Sequence, residues 1–579
     1  MGRGAGAHRL VAGGGGPGGA VHVASTLRPL RRGCLRAAAV SGVVLLAALS
    51  SNAPAVQAIT PPAVDPALVP PDGPPHPDQP MRRANSCSSP ITVRNPDVAQ
   101  MAPGFNLLNI ARAWQYSTGN GVAVAVIDTG ITPNPRLPVV PGGDYIMGED
   151  GLSDCDAHGT IVGSIIGAAP QGILPMPRPM PAVPAFPAPA GPPPAIGGPP
   201  PPVEVPPPAA PPPPPPPVTI TQVVPPPPPP PPVEPGAMGP SNGPPDPQTD
   251  DEPAVPPPPP GAPDGVVGVA PHAVVISIRQ SSRAFEPVNP PPADPNSDER
   301  VKAGTLNTLA RAVVHAANMG AKVINISVTS CLPAAAPADQ RALGAALWYA
   351  ATVKDAVIVA AAGNVGEAGC ANNPMYDPLD PSDPRDWHQV KVISSPSWFS
   401  DYVLSVCAVD GGGAALDKSM SGPWVGVAGP GTHIMGLSPQ GGGPVNAYPP
   451  ARPGEKNMPF WGTSFSAAYV SGTAALVRAK FPDLSAHQVI NRIVQSAHNP
   501  PAGVDNKVGY GLADPVAALT FDIPAGDRLP PGAQSRVIRP APPPPPPDHR
   551  ARNVAIGFVG VVAAGVLAMA IAARLRRAR

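Results

Sequence analysis

Val122-Ala-Val-Ala-Val-Ile-Asp128-Thr-Gly130 is an apolar run closed by a carboxylate. Such a run reads as a strand buried on both faces, which holds Asp128 rigidly at its C-terminal edge. Similar runs recur at Ala273 to Ile278, Lys322 to Ile326, Ala356 to Ala361 and Val403 to Val409. They alternate with helical patterns at Leu306 to Met319 and Leu343 to Lys354, and Phe105, Leu107, Leu108, Ile110 and Trp114 suggest a short helix before the first strand. The alternation predicts an α/β fold with a mainly parallel sheet covered by helices. Functional residues then belong at strand ends and helix starts.

Two further segments complete a chemical set with Asp128. Asp156-Ala-His-Gly-Thr160 and Gly462-Thr-Ser-Phe-Ser-Ala-Ala468 supply an imidazole and a hydroxyl, each opening a helical pattern. A serine hydroxyl is a poor nucleophile until an imidazole takes its proton, and the imidazole needs a carboxylate to fix its tautomer and stabilise its charge. Taken singly, an Asp after a strand is a common turn residue and Gly-Thr-Ser a common helix start. Their order, with Ala360-Ala-Ala-Gly-Asn364 as a fourth motif after an apolar strand, argues for chemistry.

These motifs resemble those of the subtilisin-like serine proteases. The resemblance implies that family's three-layer fold, an Asp128, His158 and Ser464 triad, and an oxyanion held by the Asn364 side chain and the Ser464 N–H. It also implies that substrate pairs as an extended strand with Ser327, Val328 and Thr329, where Val328 and Thr329 are bulky enough to narrow the groove. No Gly-x-Ser-x-Gly elbow surrounds Ser464, which disfavours an esterase of another class.

The chain has 579 residues, of which 99 are Pro and 61 Gly, so much of its length is not core. A net charge of zero with 13% charged residues gives no ground for nucleic-acid binding. Arg28, Arg31, Arg32 and Arg36 precede an apolar run from Ala37 to Leu49, with Val56-Gln-Ala58 as a cleavage candidate, so residues 1–58 read as a secretory signal. Val554 to Ala573 is apolar throughout and, as a helix, spans about 30 Å, the thickness of one bilayer core. Arg574, Arg576, Arg577 and Arg579 after it favour a cytoplasmic tail at 574–579, placing the enzyme on the extracytoplasmic side of a cell membrane. A Pro-rich linker at 523–553 precedes this anchor.

Of six cysteines, Cys34 departs with the signal and Cys407 lies in a buried-strand pattern as a free thiol. Spacing does not establish connectivity; the expected pairs are Cys87 with Cys155 and Cys331 with Cys370.

Residues 59–100, rich in Pro, Asp and Ser, read as an extended wrap around a peptidase domain at 101–522. Their lack of apolar pattern leaves no room for a compact inhibitory prodomain. Residues 170–265 form a proline-dominated insertion that samples polyproline II, either neutral or a shielding arm, with both ends expected close to His158. The Asp residues at 377, 380, 383 and 386 lack the glycine and terminal glutamate of a calcium loop, so no metal and no cofactor is expected. Signal, wrap, insertion and anchor, with Val140-Pro-Gly-Gly-Asp-Tyr145 and Val508-Gly-Tyr-Gly511, resemble the mycosins of the mycobacterial type VII (ESX) secretion systems, nearest to the second system's branch with the fifth left open. That resemblance implies two kinds of partner, exported protein or peptide substrates and the secretion membrane complex, together with a role in stabilising that complex alongside cleavage.

Overall fold

The apolar runs form the centre of a seven-stranded sheet in the computed structural model, which describes residues 59–179, 253–289, 303–531 and 550–578 apart from 336, 368, 376–382, 384, 451–454 and 502. The strands are β1 (Ala123–Asp128), β2 (Val139–Asp144), β3 (Val274–Arg279), β4 (Val323–Ile326), β5 (Val357–Ala361), β6 (Val403–Val409) and β7 (Val425–Pro430). Their spatial order is β7-β6-β5-β4-β1-β3-β2, and every neighbouring pair is parallel. In the centre Ile127 lies between Ile278 and Ile326.

Alternation along the strands divides the core between the two faces. Val124, Val126 and Val359 belong to a cluster shared with helices α1 (His158–Gly167) and α4 (Thr463–Lys480). Ala125, Ile127 and Ile358 belong to another, under α2 (Leu306–Asn318) and α3 (Arg341–Trp348). The sheet is therefore the middle of three layers. Helix α4 is buried from Thr463 to Arg478, and small residues let it lie that deep: a Cβ on Gly472 would come within 2.5 Å of Val269.

The edge strands β2 and β7 carry no sequence signal of the kind the inner strands carry. Pro141, Gly142 and Gly143 interrupt β2, and Gly426, Gly429 and Pro430 interrupt β7. Proline lacks a ladder donor and is tolerated at a sheet's edge. The helical run expected to reach Lys354 closes at Trp348 and continues as one wider turn, Tyr349–Val353.

The N-terminal segment adds short strands to the body. Met81–Arg83 pairs antiparallel with Phe285–Pro287, and Thr92–Val93 with Ala254–Val255. Asp78 accepts from Arg311 at 2.6 Å and Asp72 from His315 Nδ1 at 2.9 Å, tying the segment to α2. The Asn446 amide accepts from Val93 N–H and donates to the Val93 and Pro96 carbonyls, satisfying backbone that leaves the sheet ladder.

Residues 180–252 of the insertion lie outside the described residues, as do the signal at 1–58 and most of the linker, 532–549. The insertion's two feet are described, and they correct the expectation that both ends attach close to His158. His158 is the first residue of α1, whereas the insertion leaves after its last; ten residues of helix separate them, about 15 Å. Arg136 staples the feet. Its guanidinium donates to the Ala169 carbonyl on one side and, on the other, to both Asp264 carboxylate oxygens and the Val266 carbonyl. Helix α5 (Arg550–Arg577) is, over Arg552–Arg577, long and apolar enough to cross a membrane.

Asp264 is almost wholly buried at its pair with Arg136. Replacing Arg136 with Leu strands that carboxylate, and the expected loss is about 3–5 kcal/mol, read as a lower urea midpoint at an unchanged slope.

Candidate active site

Asp128 ends β1 at the C-terminal edge of the sheet, fully buried, and His158 opens α1. Their side chains meet: His158 Nδ1 lies 2.7 Å from Asp128 Oδ1, which also accepts from Thr129 N–H at 2.7 Å. Burial works against the charged imidazole, but the Asp128 carboxylate outweighs it by charge and hydrogen bond and holds the His158 pKa above its ordinary value. The imidazole retains a quarter of its side-chain exposure.

Ser464 is the second residue of α4, preceded by Gly462 at φ 140°. Its backbone N–H is among the helix's first four, which have no intrahelical partner. Phe465, next along the chain, packs its ring at 5.2 Å from the His158 ring, tilted by 38°. In this state the Ser464 hydroxyl donates to the Ser327 carbonyl at 3.1 Å, while Ser327 Oγ donates to the Ser464 carbonyl at 3.1 Å. The chain continues inward: Asn325 Nδ2 donates to Ser327 Oγ and Ser471 Oγ to Asn325 Oδ1. Ser327 thus fastens the end of β4 to the start of α4, and only Val328 and Thr329 among the three expected substrate-strand residues keep partial exposure.

Asn364 follows β5 at the same edge. Its Oδ1 accepts from Thr463 N–H at 3.0 Å and Thr463 Oγ1 at 3.1 Å, while its amide nitrogen donates to Glu367 Oε1 at 3.2 Å. A bond between Cys331 and Cys370 joins the segment after β4 to the Asn364 loop, and Cys407 is free and buried.

The loop ahead of His158 is tied down at two points, the first of them the Cys87 to Cys155 bond expected from the sequence. Asp156 accepts from Ser282 Oγ and from the Arg283 N–H. Between them and His158, Ala157 takes a left-handed φ of 66°, a conformation that costs about 1–3 kcal/mol in a residue with a Cβ and persists where its surroundings over-determine it. Thr129 and Thr463 lie inside quoted motifs and Glu367 three residues beyond one, and the motifs by themselves assign none of the three a role. Among the described residues no three His, Cys, Asp or Glu side chains converge as a metal-binding group.

The subtilase family matches residues 248–511, which include Asn364 and Ser464 but begin after Asp128 and His158. Mycosin-2 of Mycobacterium tuberculosis is 84% identical over 551 residues, covering 95% of this chain and all of that protein. This chain is a mycosin. Mycosin-5 of the same organism is 48% identical, over 95% of the chain and 98% of that protein. The crystal structure of MycP1 from Mycobacterium smegmatis is 39% identical and superposes with a TM-score of 0.63, over 83% of this mycosin and all of that chain. A chain in the structure of an intact ESX-5 inner membrane complex is 44% identical with the same score, over 89% and 100%. The mycosin is a subtilisin-family serine protease.

Because Asp128 raises the His158 pKa, the imidazole becomes neutral only above the ordinary 6.5. Nitrogen NMR of the His158 ring is expected to give a midpoint above that value. In Asp128→Asn, where burial loses its main opponent, the midpoint falls below that of the native protein.

Proposed function

We propose that Ser464 attacks a scissile carbonyl while neutral His158 takes its proton and later returns it to the leaving amine. Asp128 keeps the imidazole oriented and stabilises its charged form. The 2.7 Å contact between Asp128 and His158, with Ser464 at the start of the adjoining buried helix, carries this reading. The oxyanion takes its hydrogen bonds from the Asn364 amide and the Ser464 N–H. To do so it displaces the Glu367 carboxylate from the amide, and the Ser464 hydroxyl rotates from the Ser327 carbonyl toward His158. Substrate lies extended beside Val328 and Thr329.

The protease is a single-pass membrane protein with its catalytic domain on the extracytoplasmic side and its C-terminus in the cytoplasm. It cleaves a narrow set of proteins exported by a type VII (ESX) secretion system and stabilises that system's membrane complex. Near-full-length similarity to a chain of the ESX-5 inner membrane complex supports the association, and α5 supports the anchor. The alternative is a mainly structural periplasmic cap. It is favoured by a resting state in which both the Ser464 hydroxyl and the Asn364 amide are already bonded within the protein.

Asn364→Ala should lower turnover about a hundredfold to a thousandfold, measured on a peptide mapped from natural cleavage. Peptide mapping of secreted proteins from Ser464→Ala cells separates the two readings. Lost processing with secretion intact supports the protease; secretion and processing both unchanged favours the cap.

A further inference from the structure

Asp154, four residues before His158, belongs to no part of the Asp128, His158 and Ser464 set. It is nonetheless buried at 7% exposure, and its carboxylate collects four donors. Oδ1 accepts from Thr129 Oγ1 at 2.8 Å and Asp156 N–H at 3.1 Å; Oδ2 accepts from Thr160 N–H at 2.8 Å and Thr160 Oγ1 at 2.7 Å. Thr129 Oγ1 in turn accepts from Gly159 N–H at 2.9 Å, and Thr129 N–H donates to Asp128 Oδ1. Those contacts close a loop. Thr129 adjoins Asp128 at the end of β1, and Gly159 and Thr160 adjoin His158 at the start of α1, so one carboxylate holds both elements that carry the charged pair.

We propose that Asp154 is a positioning residue for hydrolysis: through Thr129 and Thr160 it fixes Asp128 against His158, and its charge supports the imidazolium formed when His158 takes the Ser464 proton. This rests on the triad reading above. The charged and titratable groups around it are Asp128 on β1, His158 on α1, Asp156 in its own loop, Arg283 after β3, and Tyr448. Burial pushes the Asp154 pKa up, against its bonds from Thr160 and Thr129, to about 7. Its charge is therefore present above that pH, where it favours protonated His158, and is withdrawn below it.

The test uses the full chain in detergent and a biotinylated alkyl fluorophosphonate, whose second-order rate of labelling at Ser464 is followed against pH. Labelling of the native protein and none of Ser464→Ala establishes the triad separately; no labelling of the native protein overturns both readings. Asp154→Asn is expected to label about tenfold to a hundredfold more slowly at the plateau, with the acid limb moved to lower pH because a charge favouring imidazolium is gone. A plateau within about twofold of the native one, or a slow plateau with the limb unmoved, overturns the proposal. If Asp154→Asn does not fold, Thr129→Val and Thr129→Ser decide: Val is expected to slow labelling about tenfold and Ser to restore it. Val at the native rate overturns the proposal.

Discussion

Parallel pairing across the whole sheet is the constraint on which the rest of this mycosin depends. Because all seven strands run the same way, every crossover returns to the far side and all C-terminal ends share one edge. Asp128 leaves that edge from β1, Ser327 from β4 and Asn364 from β5. Gly462 reaches it by donating to the carbonyl of Gly431, the residue after β7. Residues 128, 327 and 364 share one edge because of strand direction, and Ser464 is hydrogen-bonded there to Ser327.

Bringing carboxylates into that edge is costly unless each charge is met by donors. Asp128 is met at Oδ1 by His158 and Thr129 N–H while its Oδ2 is buried without a partner among the described residues, and Asp154 is met by two hydroxyls and two N–H groups. Thr129 and Thr160 serve as polar rivets here. Their hydroxyls both donate and accept, so they pass a buried charge on to backbone that would otherwise be unpaired.

The Pro-rich insertion is kept from disturbing this arrangement by distance and by one guanidinium. A long loop costs little more to close than a short one provided its ends are held together. Arg136 holds them, at the end of α1 remote from His158. On the His158 side the Cys87 to Cys155 bond instead ties the N-terminal segment to the loop that carries Asp154 and Asp156.

What sequence alone determined was local: five inner strands, whose apolar runs are dictated by burial on both faces, and four motifs whose residue types suit proton transfer and oxyanion binding. The edge strands escaped it because their prolines and glycines break the apolar run, and a sheet's edge tolerates proline. Which loop Asp154 serves, where the insertion is rooted, and that Glu367 rests on the Asn364 amide were decided by tertiary structure alone. Each depends on contacts between residues set side by side by chain folding, and burial or a hydrogen-bond partner is not written in the identity of one aspartate.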